Sequence, residues 1–102
     1  MASRIELNEA LVSVLGTRNV YFQPPENVKM KYPCIIYTKN NVRSRYADDL
    51  RYASMNEYTL TIVDRDPDST IAGRLLERFP FCSFSRRYTA DNLYHDVLML
   101  YY

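Results

Sequence analysis

The segment Glu57-Tyr58-Thr59-Leu60-Thr61-Ile62-Val63 decides the fold, because its side chains alternate strictly between polar and apolar. In an extended chain the apolar members point to one side and the polar members to the other, which predicts a strand with one buried face. The strand signal begins at Tyr52 and ends at Val63. The turn-forming residues 64–69 follow it, and Asp68 or Ser69 is placed to cap a second helix.

The second helix is indicated by apolar residues at helical spacing directly after this turn. Its apolar stripe consists of Ile71, Ala72, Leu75, Leu76 and Phe79. Pro80 predicts the end of the helix, because proline cannot continue it. Gly73 lies inside the helix, and we expect a small residue there to permit close packing on the sheet.

Two strands are predicted at the C-terminal end of the chain. Residues 81–88 form the first strand, and the turn-forming residues 89–92 separate it from a second strand over residues 93–102. The second strand alternates, and both of its sides are partly apolar. Such a pattern is typical of a strand in the centre of a sheet or covered on both faces.

The N-terminal half carries one helix and two further strands. Ser3 and Glu6 form a capping box, Gly16 is a helix stop, and an apolar stripe lies between them. The stripe consists of Leu7, Ala10, Leu11, Val14 and Leu15. The strands are Val20-Tyr21-Phe22, ended by Pro24-Pro25, and residues 34–38.

These elements predict a single domain over residues 1–102 of the α+β class. The expected architecture is a mostly antiparallel sheet of four to five strands with two helices packed on one face. The order along the chain is α-β-β-β-α-β-β.

Composition excludes some classes of function. The chain has 13 basic and 12 acidic side chains, a net charge of +1, whereas proteins that grip nucleic acid usually carry a clear basic excess. No apolar run approaches the roughly 20 residues of a membrane span, so no membrane partner is expected. The ten tyrosines and no tryptophan suit strands and the half-buried surfaces where subunits meet.

The sequence lacks the usual arrangements of catalytic or metal-binding residues. The single histidine, His95, neighbours Asp96 on a strand, so the two side chains point to opposite faces. Cys34 and Cys82 lie in apolar runs and are expected to be buried free thiols. Asp64, Asp66 and Asp68 lack the glycine and glutamate of a calcium loop, and a turn and helix cap explain them better. We therefore predict no enzyme activity, no catalytic residues, no cofactor and no metal.

One function that the sequence leaves open is that of a small nucleic-acid-binding module. Aromatic side chains interleaved with arginine on strands can stack on bases. The residues that could form such a face are Tyr37, Tyr52, Tyr58, Arg86, Arg87 and Tyr88. The nearly balanced charge argues against this alternative.

The chain resembles the tail-terminator, or tail-completion, proteins of long-tailed bacteriophages, also described as tail-to-head joining proteins. The resemblance covers nearly the whole chain as a pattern of elements and short phrases. The phrases are the N-terminal amphipathic helix, residues 20–25, residues 32–37, residues 58–69, residues 82–84 with 86–88, and residues 91–96.

The resemblance implies a hexameric ring in the virion tail, assembled in the cytoplasm of the bacterial host. Such a ring caps the tail tube and offers the surface to which a filled head attaches. The implied partners are other copies of the chain, the tail tube protein and a head-completion or neck protein. DNA passes through the lumen without specific binding, and no cofactor is implied. Another neck or minor tail component is the neighbouring alternative.

The polar segment 39–51 is the candidate interaction site. At about 13 residues it is long for a connection in a compact domain, and such loops are often functional. We hypothesise that it is an arm that orders on contact with tube or neck subunits. The residues expected to make its contacts are Lys39, Arg43, Arg45, Tyr46, Asp48, Asp49 and Arg51.

Overall fold

A computed structural model describes residues 4–24, 31–40 and 56–102 of the chain. These ranges hold two helices and five strands in the order α-β-β-β-α-β-β, which confirms the predicted class and order. The elements are α1 (Arg4–Leu15), β1 (Val20–Phe22), β2 (Cys34–Lys39), β3 (Glu57–Asp64), α2 (Ile71–Arg78), β4 (Cys82–Ala90) and β5 (Leu93–Tyr101).

The five strands form one sheet in the order β1-β2-β3-β5-β4. β1 is parallel to β2, and every other neighbouring pair is antiparallel. β5 lies between β3 and β4, which confirms the central position predicted from its two partly apolar sides. β1 and β4 are therefore the two edges of the sheet.

Both helices contribute to one apolar core on a single face of the sheet, called the helix face. The alternation that predicted β3 is confirmed, since Tyr58, Leu60 and Ile62 all point into this core and are at most 1% exposed. The other strand residues of the helix-face core are Ile35, Tyr37, Leu98 and Leu100. The residues that alternate with these point to the other side of the sheet. We call it the open face because no helix of the described ranges lies on it, although Cys34, Val63 and Val97 are buried there.

α1 buries the predicted apolar stripe. Leu7, Leu11 and Leu15 are buried against the sheet, and Ala10 and Val14 pack beside them. The helix ends at Gly16, whose φ of +88° is accessible to glycine at little cost and whose N–H donates to the Val12 carbonyl. Ser3, half of the expected capping box, lies outside the described residues.

α2 begins and ends close to the predicted points. Thr70, rather than Asp68 or Ser69, is the residue that precedes the helix, although the Ser69 hydroxyl accepts a hydrogen bond from the Ile71 N–H. Asp68 is wrong as a cap, because it belongs to the preceding turn, where its N–H donates to the Asp66 carboxylate. The expectation for Gly73 is also wrong, since it is exposed and a Cβ there would meet nothing within 4 Å.

The two glycines provide a matched pair for a stability test, because a Cβ would meet open space at both. Gly73→Ala is expected to raise the free energy of unfolding by up to about 1 kcal/mol, since alanine is the better helix former. Gly16→Ala is expected to lower it by about 1 kcal/mol, because its positive φ strains a residue with a Cβ. Urea denaturation measures the change in the free energy of unfolding for each variant, and the two changes should have opposite signs. Equal changes at the two positions would contradict these assignments.

β4 and β5 form a hairpin with a two-residue turn at Asp91 and Asn92. Both turn residues have positive φ, of 54° and 61°, as expected for the tight turn that matches strand twist. The turn prediction is confirmed, but β4 runs on through Thr89 and Ala90, because both pair with β5. No helix in the described ranges is long and apolar enough to cross a membrane.

Candidate assembly interface

The edge strand β4 is the most exposed regular element of the described chain. Eight of its nine residues are exposed, and its side chains include two large apolar rings in water, Phe84 at 49% and Tyr88 at 41% exposed. Nine extended residues span about 30 Å. A long exposed edge of a sheet is a template for another strand, so this edge is a candidate binding surface.

The outward-pointing backbone groups of β4 follow from its pairing with β5. Tyr101 donates its N–H to the Phe81 carbonyl, and hydrogen-bonded pairs then alternate with non-hydrogen-bonded pairs along the ladder. The β4 residues in non-hydrogen-bonded pairs with β5 are Cys82, Phe84, Arg87 and Thr89. Their N–H and C=O groups point away from β5, and no described backbone group bonds them. This row of donors and acceptors is what an added strand would use.

A register shift between Phe84 and Arg86 divides β4 into two segments. Such a bulge bends a strand and increases its twist, which restricts the length of edge that a straight partner can follow. Arg87 pairs with Asp96 and therefore lies on the helix face, whereas Arg86 and Tyr88 pair with residues of the open face. The two neighbouring arginines thus point to opposite sides of the sheet.

Arg87 is held by three contacts on the helix face. Its Nε lies 3.2 Å from Oδ1 of Asp96, and a terminal nitrogen donates to the Pro67 carbonyl at 2.7 Å. Its guanidinium carbon lies 5.2 Å from the centre of the Tyr94 ring. Asp96 is only 7% exposed, so this ion pair also satisfies a nearly buried carboxylate. The arginine links the edge strand to the turn before α2.

His95 lies against Tyr88 on the open face. The two rings are stacked, with centres 4.6 Å apart and planes 12° apart, and the histidine Nδ1 lies 3.2 Å from the Leu93 carbonyl oxygen. The Arg86 guanidinium carbon lies 5.6 Å from the Tyr88 ring centre. Asp96 points to the other face and pairs with Arg87, as predicted from strand alternation. His95 is placed as a packing residue rather than as the base of a dyad.

The predicted interaction segment 39–51 is only partly described. Lys39 is the last residue of β2, where it pairs with Tyr58 and donates its N–H to the Gln23 side chain, so placing it in the loop is wrong. The other predicted contact residues lie outside the described residues: Arg43, Arg45, Tyr46, Asp48, Asp49 and Arg51. The hypothesis of an arm over this segment stays a prediction.

Polar side chains join the described residues on either side of that segment. Asn40 donates its backbone N–H to the Glu57 carbonyl and its side-chain amide to both Glu57 and Thr59. The Tyr101 hydroxyl donates to the second carboxylate oxygen of Glu57 at 2.8 Å. The Glu57 carboxylate thus accepts from Asn40, directly after β2, and from Tyr101 of β5.

The six residues of the nucleic-acid alternative do not share a face. Tyr37 and Tyr58 are at most 1% exposed because they point into the core beneath the helices, so assigning them to a binding face is wrong. Arg87 lies on the helix face, and Tyr52 lies outside the described residues. Only Arg86 and Tyr88 remain together, on the open face.

Asp64, the last residue of β3, and the two aspartates that follow it, Asp66 and Asp68, form hydrogen bonds of a turn. The Asp66 N–H donates to the Asp64 carboxylate at 3.1 Å, and the Asp68 N–H donates to the Asp66 carboxylate at 2.9 Å. Such side-chain-to-backbone bonds shape a tight turn and account for the aspartate spacing. No group of three or more potential metal ligands occurs within residues 4–24, 31–40 and 56–102.

The cysteines are free thiols on separate strands. Cys34 is buried as predicted, whereas Cys82 is only half-buried because it lies on the edge strand. Desolvation by burial raises the pKa of each thiol to about 11. Since the thiolate is the reactive form, both groups are poor nucleophiles at neutral pH.

The raised thiol pKa values predict a loss of stability in alkali. The folded chain keeps these protons up to about pH 11, whereas an ordinary thiol loses its proton near 9.0. The contribution of the two protonated thiols to the stability of the fold is therefore fully present below pH 9, and it is lost as the pH rises towards 11. Urea denaturation between pH 8 and 11 measures the free energy of unfolding. It should fall less steeply with pH for a variant carrying Cys34→Ala and Cys82→Ala than for the wild type. An identical fall in the wild type and this variant would contradict the assignment.

Sequence reasoning missed the edge strand as a site, because no residue type marks a strand as an edge. The available signal was the arginine pair within a strand-like run, since charges are common on exposed edges. The surface consists of backbone groups, two exposed rings and two arginines. Comparison of the chain with models of protein families, with curated proteins and with solved structures found no match.

Proposed function

We propose that this chain is a structural protein of a bacteriophage tail that assembles into a hexameric ring. The ring would cap the tail tube, stop its growth and form the surface to which the head joins. The proposal combines the resemblance of the sequence to tail-terminator proteins with the exposed edge of the sheet. No catalytic step is part of this function.

The exposed β4 edge is the observation that carries the proposal. A long sheet edge invites pairing, and the bulge and two arginines of β4 leave the part of the edge beyond the bulge for a short partner strand. β4 has nine residues, and its ring side chains Phe84 and Tyr88 are in water. A neighbouring subunit in a ring would cover part of this surface.

The two edges of the sheet differ, which favours a ring over a twofold dimer. A head-to-tail contact joins two unlike surfaces and closes into a ring when the rotation between copies allows it. β1 has three uncharged residues, whereas β4 has nine residues and two arginines. Each copy therefore offers two different edges to its neighbours.

The proposed partners outside the ring are the tail tube protein and a head-completion or neck protein. DNA would pass through the lumen of the assembled tail. The nearly balanced charge of the chain suits such a conduit, because a strongly basic lumen would hold the DNA backbone. The site of action would be the virion tail, after assembly in the bacterial cytoplasm.

The test of this function is the morphology of particles made without the protein. Electron microscopy of lysates from a phage lacking the gene for this chain is expected to show tails of uncontrolled length, or separate heads and tails. Supplying the wild-type chain from a plasmid should restore joined virions. Normal virions in the absence of the chain would contradict the proposal.

A nucleic-acid-binding module is the second candidate, favoured by one observation. Tyr88 is exposed beside Arg86 and stacked on His95, an arrangement that could hold a base. Titration of the chain with single-stranded DNA at moderate salt separates the candidates. Tight DNA binding that is abolished by Tyr88→Ala would favour this second function. If the chain does not bind DNA, the ring protein is favoured.

A further inference from the structure

We propose that β4 of one copy pairs with β1 of the next, so that the sheets of neighbouring subunits join edge to edge. This inference rests on the proposed ring and names the two strands that would close it. The occupant of the β4 edge is thus a second copy of this chain.

The directions of the strands support this pairing. β4 runs antiparallel to β5, β5 to β3 and β3 to β2, while β1 is parallel to β2. β1 and β4 of one copy therefore run in opposite directions. Rotation about an axis along the strands brings β1 of the next copy antiparallel to β4 and keeps the helix faces on the same side. Antiparallel pairing is the more stable kind per residue.

The backbone groups of the two edges match in spacing. Ile35 donates its N–H to the Asn19 carbonyl, and Gln23 donates its N–H to the Tyr37 carbonyl. Since alternate residues of β1 face β2, the backbone groups of Val20 and Phe22 point outward. After its bulge, β4 also has two residues, two positions apart, whose backbone groups point outward. They are Arg87 and Thr89. Placing Phe22 beside Arg87 and Val20 beside Thr89 forms up to four interstrand hydrogen bonds.

Side chains in this register are compatible on both faces. Phe22 and Arg87 both lie on the helix face, where the Arg4 guanidinium carbon lies 4.4 Å from the Phe22 ring centre and Arg87 is held by Asp96, so neither side chain has to leave its partner. Tyr21 lies opposite the exposed Tyr88 on the open face, and aromatic cross-strand pairs stabilise sheets. The short β1 also fits the length of β4 that remains beyond the bulge.

Charge argues against the alternative in which two β4 strands pair with each other. Arg86 lies on the open face, whereas Arg87 lies on the helix face and is paired with Asp96, so self-pairing would bring the two Arg86 side chains to the same face of one seam. Like charges across neighbouring strands are destabilising. β1 consists of valine, tyrosine and phenylalanine and adds no charge. The charge pattern therefore selects the head-to-tail contact.

The experiment blocks each edge separately. Thr89→Pro removes an outward N–H from β4, and Val20→Pro removes one from β1; proline is tolerated on edge strands. The matched controls Thr89→Ala and Val20→Ala keep the N–H. Light scattering should give six copies for the wild type and both alanine variants, and one copy for each proline variant. Circular dichroism establishes that the variants are folded.

Mixing the two proline variants gives the decisive result. Each retains the edge that the other lacks, so an equimolar mixture should form dimers and nothing larger. If folding of Thr89→Pro fails, an N-methyl group on Thr89 blocks the same N–H. It can be introduced by ligating a synthetic 82–102 peptide to residues 1–81 through Cys82.

Three outcomes would overturn the inference. Hexamers of both folded proline variants would show that the ring uses other surfaces, and the proposed function would stand. Dimers of Val20→Pro on its own, with Thr89→Pro remaining monomeric, would indicate pairing of two β4 strands. A wild-type chain that stays monomeric at every concentration would overturn edge pairing between copies, while the phage lysates test the function independently.

Discussion

Phe79→Ala is expected to lower the free energy of unfolding by about 3–5 kcal/mol, the usual cost of removing a buried aromatic ring. Phe79 is 1% exposed and packs edge-on against Tyr102, with ring centres 5.7 Å apart. It follows α2 directly and joins the helix to the core. Since small domains have a total stability of about 5–15 kcal/mol, this change removes a large part of it.

Phe84→Ala is the matched control, because it removes the same ring from the surface. Phe84 is 49% exposed on the edge strand, so only about half of the ring is buried and the loss in stability should be about 1 kcal/mol. Urea denaturation of both variants measures the difference. Similar losses at the two positions would contradict the assignment of Phe79 to the core and Phe84 to the edge.

Arg87→Ala is expected to cost about 1–3 kcal/mol of stability, because it leaves a nearly buried carboxylate without its charged partner. Asp96 is 7% exposed and lies 3.2 Å from the Arg87 guanidinium. The Pro67 carbonyl loses its donor as well. The arginine side chain is 42% exposed, so solvent screening keeps the effect below that of a fully buried pair.

Arg86→Ala provides the control for this prediction. Arg86 is the neighbouring arginine on the same strand but points to the open face, and its described contact is with the exposed Tyr88. Its removal should change stability by less than about 0.5 kcal/mol. Introducing Arg87→Ala together with Asp96→Asn should cost less than the two single changes added together. Strict additivity would show that the ion pair contributes nothing.

Local patterns were sufficient to predict most of the fold. The alternation around Leu60 located β3, the apolar spacing around Leu11 located α1, and Pro80 marked the end of α2. Each of these signals depends on neighbours in sequence, where side-chain direction follows directly from helix or strand geometry. The same holds for the turn at Asp91 and Asn92 and for the opposite orientations of His95 and Asp96.

Features set by long-range pairing could not be predicted in this way. Tyr37 was assigned to a possible binding face because tyrosine suits both surfaces and cores, and only the helices above it decide that it is buried. The edge position of β4 depends on β5 lying beside β3, a contact between distant parts of the chain. Gly73 faces water rather than the sheet, since the rotation of α2 is set by Leu75 and its neighbours.

The proposed function requires that this chain binds copies of itself. Light scattering on the purified wild-type protein over a wide range of concentrations tests that claim most directly. Closed rings predict a plateau at six copies of the 12.1 kDa chain, or about 73 kDa. A mass that stays at 12.1 kDa up to the highest concentration would contradict the claim.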